Sequence, residues 1–158
     1  MAGKGTTSDD RVWRELRQRV RGIARAHVKV GIVGEAADAE VGEGGGVTMG
    51  MLGTWFELGT RFMDRRSWLG RTFEMKLDEL RGMQLKIAKA LILERIDLRQ
   101  ALGMLGAWAA GAVKATITQG KIVPPNRPST IARKGSSKPL VDTGQFVNSI
   151  SWITSEDG

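Results

Sequence analysis

The chain has 158 residues, of which 41% are apolar and 26% are charged, a balance typical of one globular domain rather than of a disordered segment. It has no cysteine and only one histidine, which excludes disulfides and leaves too few soft ligands for a zinc site. The longest uncharged, largely apolar run is Ala101 to Val113, too short to span a bilayer, so we expect a soluble protein made in a reducing cytoplasm.

The net charge of +7 is unevenly distributed along the chain. Residues 1–29 carry net +5, residues 30–60 carry net −5 without any Lys or Arg, and residues 61–158 carry net +7. Copies of such a chain can pack head-to-tail, with each acidic patch facing a basic neighbour. A basic nucleic-acid binder with an acidic loop has the same composition, so composition leaves both functions open.

The first predicted element is an amphipathic helix over residues 9–26, after a flexible N-terminus of residues 1–8. Ser8 is suited to the N-cap, and the apolar side chains from Val12 to Ala24 recur at helical spacing. The opposite face is rich in arginine, which favours a solvated face or a contact between subunits, with nucleic-acid phosphates as the alternative partner. The period then changes to two, which predicts a strand over residues 28–33.

Residues 34–46 are acidic and glycine-rich, and predict a flexible surface loop. Thr48 can cap a short helix that runs through Leu58 and ends at Gly59. This helix is apolar almost all round, so it must be covered either by its own fold or by a neighbouring subunit. The basic and aromatic segment 61–71 is predicted to be extended, with Trp68 and Leu69 anchored in the core or in a groove of a partner.

Two longer helices are predicted next, over residues 72–95 and 98–118, the second capped by Asp97 and rich in small residues that allow close packing. All four prolines lie in the loop 120–142, which is long for so small a domain and therefore expected to be functional. A strand is predicted near 149–154. We therefore predict a single α+β domain over residues 1–158, in which a small, mostly antiparallel sheet packs with an N-terminal helix and two longer helices.

The sequence offers no set of residues suited to catalysis. His27 lies between a helix and a strand, with no orienting partner nearby in the sequence, so a structural role is favoured over that of a general base. The carboxylates on the helices have the spacing of solvated faces and caps, and the acidic run GEGGG lacks the residues of a phosphate loop. We expect neither an enzyme nor a cofactor or metal site.

One segment carries a more specific signal. Residues 124–152, PPNRPSTIARKGSSKPLVDTGQFVNSISW, closely resemble the C-terminal signature of phage tail-completion or neck proteins, the family that includes the lambda-type minor tail protein Z. WFELGTRF with RRSWL, residues 55–62 and 65–69, is similar to the His-Glu-Phe-Gly-Thr and Arg-Pro-Phe-Leu segments of that family. Phe56 replaces the histidine, and Arg66 with Ser67 stand where prolines are usual. VKVGIVG, residues 28–34, fits its first strand.

The resemblance implies a structural virion protein that forms a ring at the head–tail junction or at the top of the tail, six-fold by analogy with the family. The implied partners are further copies, other neck and tail proteins (head-completion or stopper protein, tail terminator, tail tube) and DNA passing through the channel, with no membrane. Residues suited to the contacts between subunits are Trp55, Phe56, Glu57, Arg65, Arg66, Trp68, Leu69, Pro124, Pro125, Asn126, Arg127, Arg133, Lys134 and Lys138.

Two further expectations accompany this reading. Asp142, Thr143 and Gly144 are predicted to form a structural turn that directs Phe146 and Ile150 inward. The alternative function is a basic DNA-binding module of a phage, which a steep salt dependence of duplex affinity would distinguish from an assembly protein.

Overall fold

The computed structural model describes residues 7–42, 45–126, 128–134, 140 and 144–155. The predictions placed on Arg127, Lys138, Asp142 and Thr143 concern residues outside these ranges. The elements in chain order are α1 (Thr7–Arg25), β1 (His27–Ile32), α2 (Glu35–Asp38), α3 (Met49–Leu58), α4 (Leu69–Met75), α5 (Leu77–Ile92), α6 (Leu98–Thr118), α7 (Pro128–Lys134), α8 (Gln145–Asn148) and β2 (Ile150–Ser155). The predicted α+β class is confirmed.

The sheet joins the two ends of the domain. Strands β1 and β2 pair antiparallel, with Val30 opposite Trp152 and Ile32 opposite Ile150. Both strands lie within one residue of their predicted bounds. Their alternating pattern places Ile150 in the core, where it is 1% exposed.

Helix α6 is the centre of the packing, since β1, β2, α4, α5 and α8 all contact it. The predicted cap is confirmed: Asp97 and Gln100 form a capping box at its start. Its small residues allow close approach, because a Cβ at Gly106 would lie 2.5 Å from the ring of Trp152. The helix has 21 residues and could cross a membrane by length and composition, but half of its most apolar stretch is buried against the rest of the chain. The burial of α6 therefore favours a helix of the protein core over a membrane-spanning one, although its length would allow either.

Three local predictions are corrected. The segment 61–71 is not extended throughout, because α4 already begins at Leu69. The predicted helix 72–95 is divided at Lys76, where φ is −114° and ψ is 17°, so that α4 and α5 can each pack against α6. The acidic segment 34–46 contains helix α2 and a bridge between Glu40 and Thr48, because α2 packs against α3. In each case packing overrides the local preference of the sequence.

The proline-rich segment is also not irregular throughout, because residues 128–134 form α7, with Pro128 at its start where a missing N–H costs nothing. The turn before β2 is as predicted at its glycine: Gly144 has φ 79° and precedes the short helix α8. Phe146 and Ile150 point inward, at 7% and 1% exposure.

Candidate subunit-contact surface

Glu57, near the end of α3, closes a corner between α3 and α4. Its Oε2 accepts hydrogen bonds from the backbone N–H groups of Trp68 and Leu69, both at 2.8 Å. Its Oε1 accepts from Ser67 Oγ at 2.6 Å and from Gly70 N at 3.2 Å. These backbone donors begin α4, where no residue of the helix itself supplies a side-chain cap. A carboxylate from another helix therefore caps α4 and fixes its direction.

The environment of Glu57 favours its charged form. Partial burial, the largest single effect, opposes ionisation, but the hydrogen bonds from Ser67 and from three backbone N–H groups together outweigh it. The pKa of Glu57 is consequently held below its ordinary value of 4.5. The corner thus depends on a carboxylate that is ionised at neutral pH.

The last residue of α3 and the seven residues after it, Leu58–Arg65, form a tightly closed loop, which we call the tip loop. At its base Gly59 has φ 78°, and a Cβ there would lie 3.1 Å from Arg65 N. Arg65 Nε donates to the carbonyl of Glu57 at 3.0 Å, and Arg66 N donates to that of Phe56 at 2.7 Å. Thr60 and Met63 form a bridge across the loop. The tip loop therefore has a defined shape rather than the freedom of a linker.

An aromatic side chain is presented at the end of the tip loop. Phe62 is 91% exposed, and the guanidinium of Arg61 lies over its ring, 5.4 Å from the ring centre. Leu58, at the base of the loop, is also exposed. Two large apolar side chains beside arginines, on a loop whose backbone is held in place, form a surface suited to contact with another protein.

Two predicted contact residues pack within their own fold instead. Trp68 is 2% exposed, and its Nε1 donates to the carbonyl of Gly53 at 3.0 Å. Phe146 makes edge-to-face contacts with Trp68 and with Phe56, at 5.2 and 5.4 Å between ring centres. Trp68 is therefore a core residue, as in the first of its two predicted roles, and the partly buried Phe56 packs against the same core.

The other predicted contact residues are divided between two places. Trp55 and Leu69 are half-buried beside the corner, and Pro124 and Pro125 are exposed. Arg66 connects the two places, because its Nε donates to the carbonyl of Pro124 at 3.2 Å. Arg133 and Lys134 lie at the end of α7, and the half-buried Asn126 lies shortly before its start.

Sequence reasoning missed Phe62 and the specific role of Glu57. A signal for Glu57 was present, because a glutamate stands two residues before the helix-ending Gly59 and ten residues before Ser67. No sequence pattern distinguishes Phe62 from the aromatic residues around it, because its exposure depends on how the tip loop is closed. Comparisons of the chain with protein-family models, with curated proteins and with solved structures find no match.

Proposed function

We propose that this chain is a structural protein of a tailed-phage particle, which forms a ring at the head–tail junction or at the top of the tail. One observation carries the proposal: the three stretches that resemble the neck family meet in one place. Arg66 donates a hydrogen bond to the carbonyl of Pro124, Trp68 packs on Phe146, and β1, within the stretch 28–34, pairs with β2, which begins at the end of the signature. The stretches that resemble the neck family are distant from one another in the sequence, but they pack against one another in the fold.

The charge distribution is suited to such an assembly. Helix α2 carries Glu35 and Asp38 within a segment that has no basic residue, whereas the tip loop and its flank carry Arg61, Arg65 and Arg66. Surfaces of opposite sign on one subunit favour contacts in which unlike patches meet. When the rotation between copies closes, contacts of this kind produce a ring.

A second candidate function, a basic module that binds DNA, is favoured by helix α1. Arg11, Arg14, Arg21 and Arg25 are exposed along it, where they can neutralise phosphates. The two functions differ in their response to salt, because binding through several phosphates weakens steeply as the salt concentration rises. Duplex binding by the purified chain with such a slope would favour the DNA-binding module.

Electron microscopy of particles from cells producing the phage tests the assembly proposal. We expect density for a ring of this chain between the capsid and the tail tube, six-fold by analogy with the family. A particle in which the chain is a single copy, or from which it is absent, would contradict the proposal. A variant lacking Pro125–Lys138 is expected to yield soluble protein but no joined, infectious particles.

A further inference from the structure

The tip loop exposes Phe62 on a backbone that is already ordered, which favours binding to a partner. A side chain that is 91% exposed gains little from its own fold, and burying it elsewhere removes most of its apolar surface from water. The hydrogen bonds of Arg65 and Arg66 hold the base of the loop before any partner arrives. Little conformational entropy is then lost when the loop is bound.

The same chain carries an apolar groove, which lies between β1 and α3 and has a volume of about 300 Å³. Its walls include Val30, Ile32, Thr54, Leu58 and Leu69, with Trp68 behind them, so the groove adjoins the base of the tip loop of its own subunit. Gly53 lets α3 approach β1 closely at the bottom of the groove, since a Cβ there would lie 2.7 Å from Ile32 Cδ1. This volume is at the lower end of the roughly 300–1,000 Å³ usual for small-molecule sites, and suits one aromatic side chain better than a cofactor.

The helix beside the groove is acidic. Val33 lines the groove, and Glu35 and Asp38 follow on helix α2, where both are exposed; we call these two carboxylates the acidic rim. Helix α2 is held at this edge by close packing: the carbonyl oxygen of Ala37 lies 3.0 Å from the position of a Cβ on Gly50, which also lines the groove. The tip loop, in contrast, places the guanidinium of Arg61 over the ring of Phe62.

We infer that Phe62 of one copy docks into this groove of a second copy, with Arg61 facing the acidic rim formed by Glu35 and Asp38. The inference rests on the proposed function, since it names the contact that joins neighbouring subunits. Shape and charge both favour a second copy as the occupant. The aromatic side chain of Phe62 fits an apolar groove, and the positive charge of Arg61 beside it matches the negative charge of the acidic rim. In a ring each subunit gives Phe62 to one neighbour and receives it from the other.

Disulfide cross-linking tests the contact directly, because the chain has no cysteine of its own. Met63→Cys, which leaves Phe62 and Arg61 in place, and Thr54→Cys are made singly and together, and are oxidised both as concentrated purified protein and in assembled particles. We expect a disulfide between the two single variants when they are mixed, and a ladder of covalent oligomers from the double variant. Met63→Cys with Leu85→Cys is the control, because Leu85 is 72% exposed on α5 and does not line the groove.

The outcomes separate this inference from the proposed function. A 63–54 disulfide whose products stop at dimers supports the contact and contradicts a ring. The absence of that disulfide from both samples, or its formation no faster than in the control pair, overturns the contact, while a ring seen by microscopy would still support the proposed function.

A matched pair of substitutions measures the strength of the contact. Phe62→Ala is expected to weaken self-association about tenfold or more in sedimentation equilibrium, as for an aromatic anchor at the centre of an interface. Leu85→Ala removes an apolar side chain of similar exposure from another face, and is expected to leave self-association unchanged. Equal effects of the two substitutions would overturn the inference.

Discussion

Two tryptophans stand within two residues of an arginine in the sequence, but one is buried in the fold and the other is exposed. Trp68 follows Arg65, Arg66 and Ser67 and is 2% exposed, whereas Trp13 stands between Val12 and Arg14 and is 60% exposed. Trp68 is buried because distant residues supply what it needs: Glu57 binds its backbone N–H, Gly53 its indole N–H, and Phe146 its ring. Burial is thus determined by partners remote in the sequence, and not by the local surroundings that the two share.

The apolar face of helix α1 as a whole is, like Trp13, largely exposed. Val12 and Val20 of its apolar stripe are 63% and 49% exposed, and Leu16 and Ile23 are half-buried. The amphipathic pattern correctly indicates which face is apolar. It does not indicate whether that face is covered within the chain, because the period of a helix carries no information about its neighbours.

The largest expected effect is that of Trp68→Ala. Removal of this side chain leaves a cavity between α3, α4 and α8, so we expect a loss of about 3–5 kcal/mol in the free energy of unfolding. Chemical denaturation measures it. A loss below about 1 kcal/mol would show that the corner is not held by the packing of this ring.

Glu57→Gln is expected to have the next largest effect, about 2–3 kcal/mol at pH 7, because hydrogen bonds to a charged acceptor are the stronger ones. Since the pKa of Glu57 is lowered in the folded state, the stabilisation is complete above the ordinary value of 4.5 and is lost as the pH falls through the folded-state pKa. Denaturation midpoints of the two proteins should therefore converge below pH 4.5. A difference that does not vary with pH would contradict the role of the carboxylate charge.

Gly106→Ala tests a third tryptophan, Trp152, at the surface of α6. The new Cβ would meet the indole ring at 2.5–2.8 Å, so we expect a net loss of about 1–2 kcal/mol despite the higher helix propensity of alanine. Gly111→Ala is the control in the same helix, because nothing lies within 4 Å of its Cβ position. It should stabilise the protein by about 0.5–1 kcal/mol. Thermal unfolding of both variants separates the cost of the close contact with Trp152 from the gain in helix propensity.

The smallest effect is expected for Trp13→Ala, within about 0.5 kcal/mol of the unsubstituted protein, because an exposed side chain contributes little to its own fold. Chemical denaturation of the purified chain provides the measurement. A loss comparable to that of Trp68→Ala would mean that Trp13 is covered, and the comparison between the two tryptophans would fail.

Elements determined by close neighbours in the sequence were predictable. Thr48 caps α3 by accepting from Met51 N, Asp97 caps α6 by accepting from Gln100 N, and Gly59 ends α3 at a positive φ. The positive φ of Gly144 before the turn of α8 belongs to the same class. All of these depend on residues three or four positions away, so the sequence contains the whole interaction.

The sequence by itself determined the α+β class, the two strands and the caps at Thr48 and Asp97, since these follow from periodicity and from local hydrogen bonds, whereas the predicted cap Ser8 lies inside α1. Only the tertiary structure decided that Glu57 caps a helix beginning twelve residues later, and that the predicted helix over 72–95 divides at Lys76. It also decided that Trp68 lies inside while Phe62 points outward. These outcomes depend on which distant groups compete for the same donor or the same volume, and that competition is resolved only when the chain has packed.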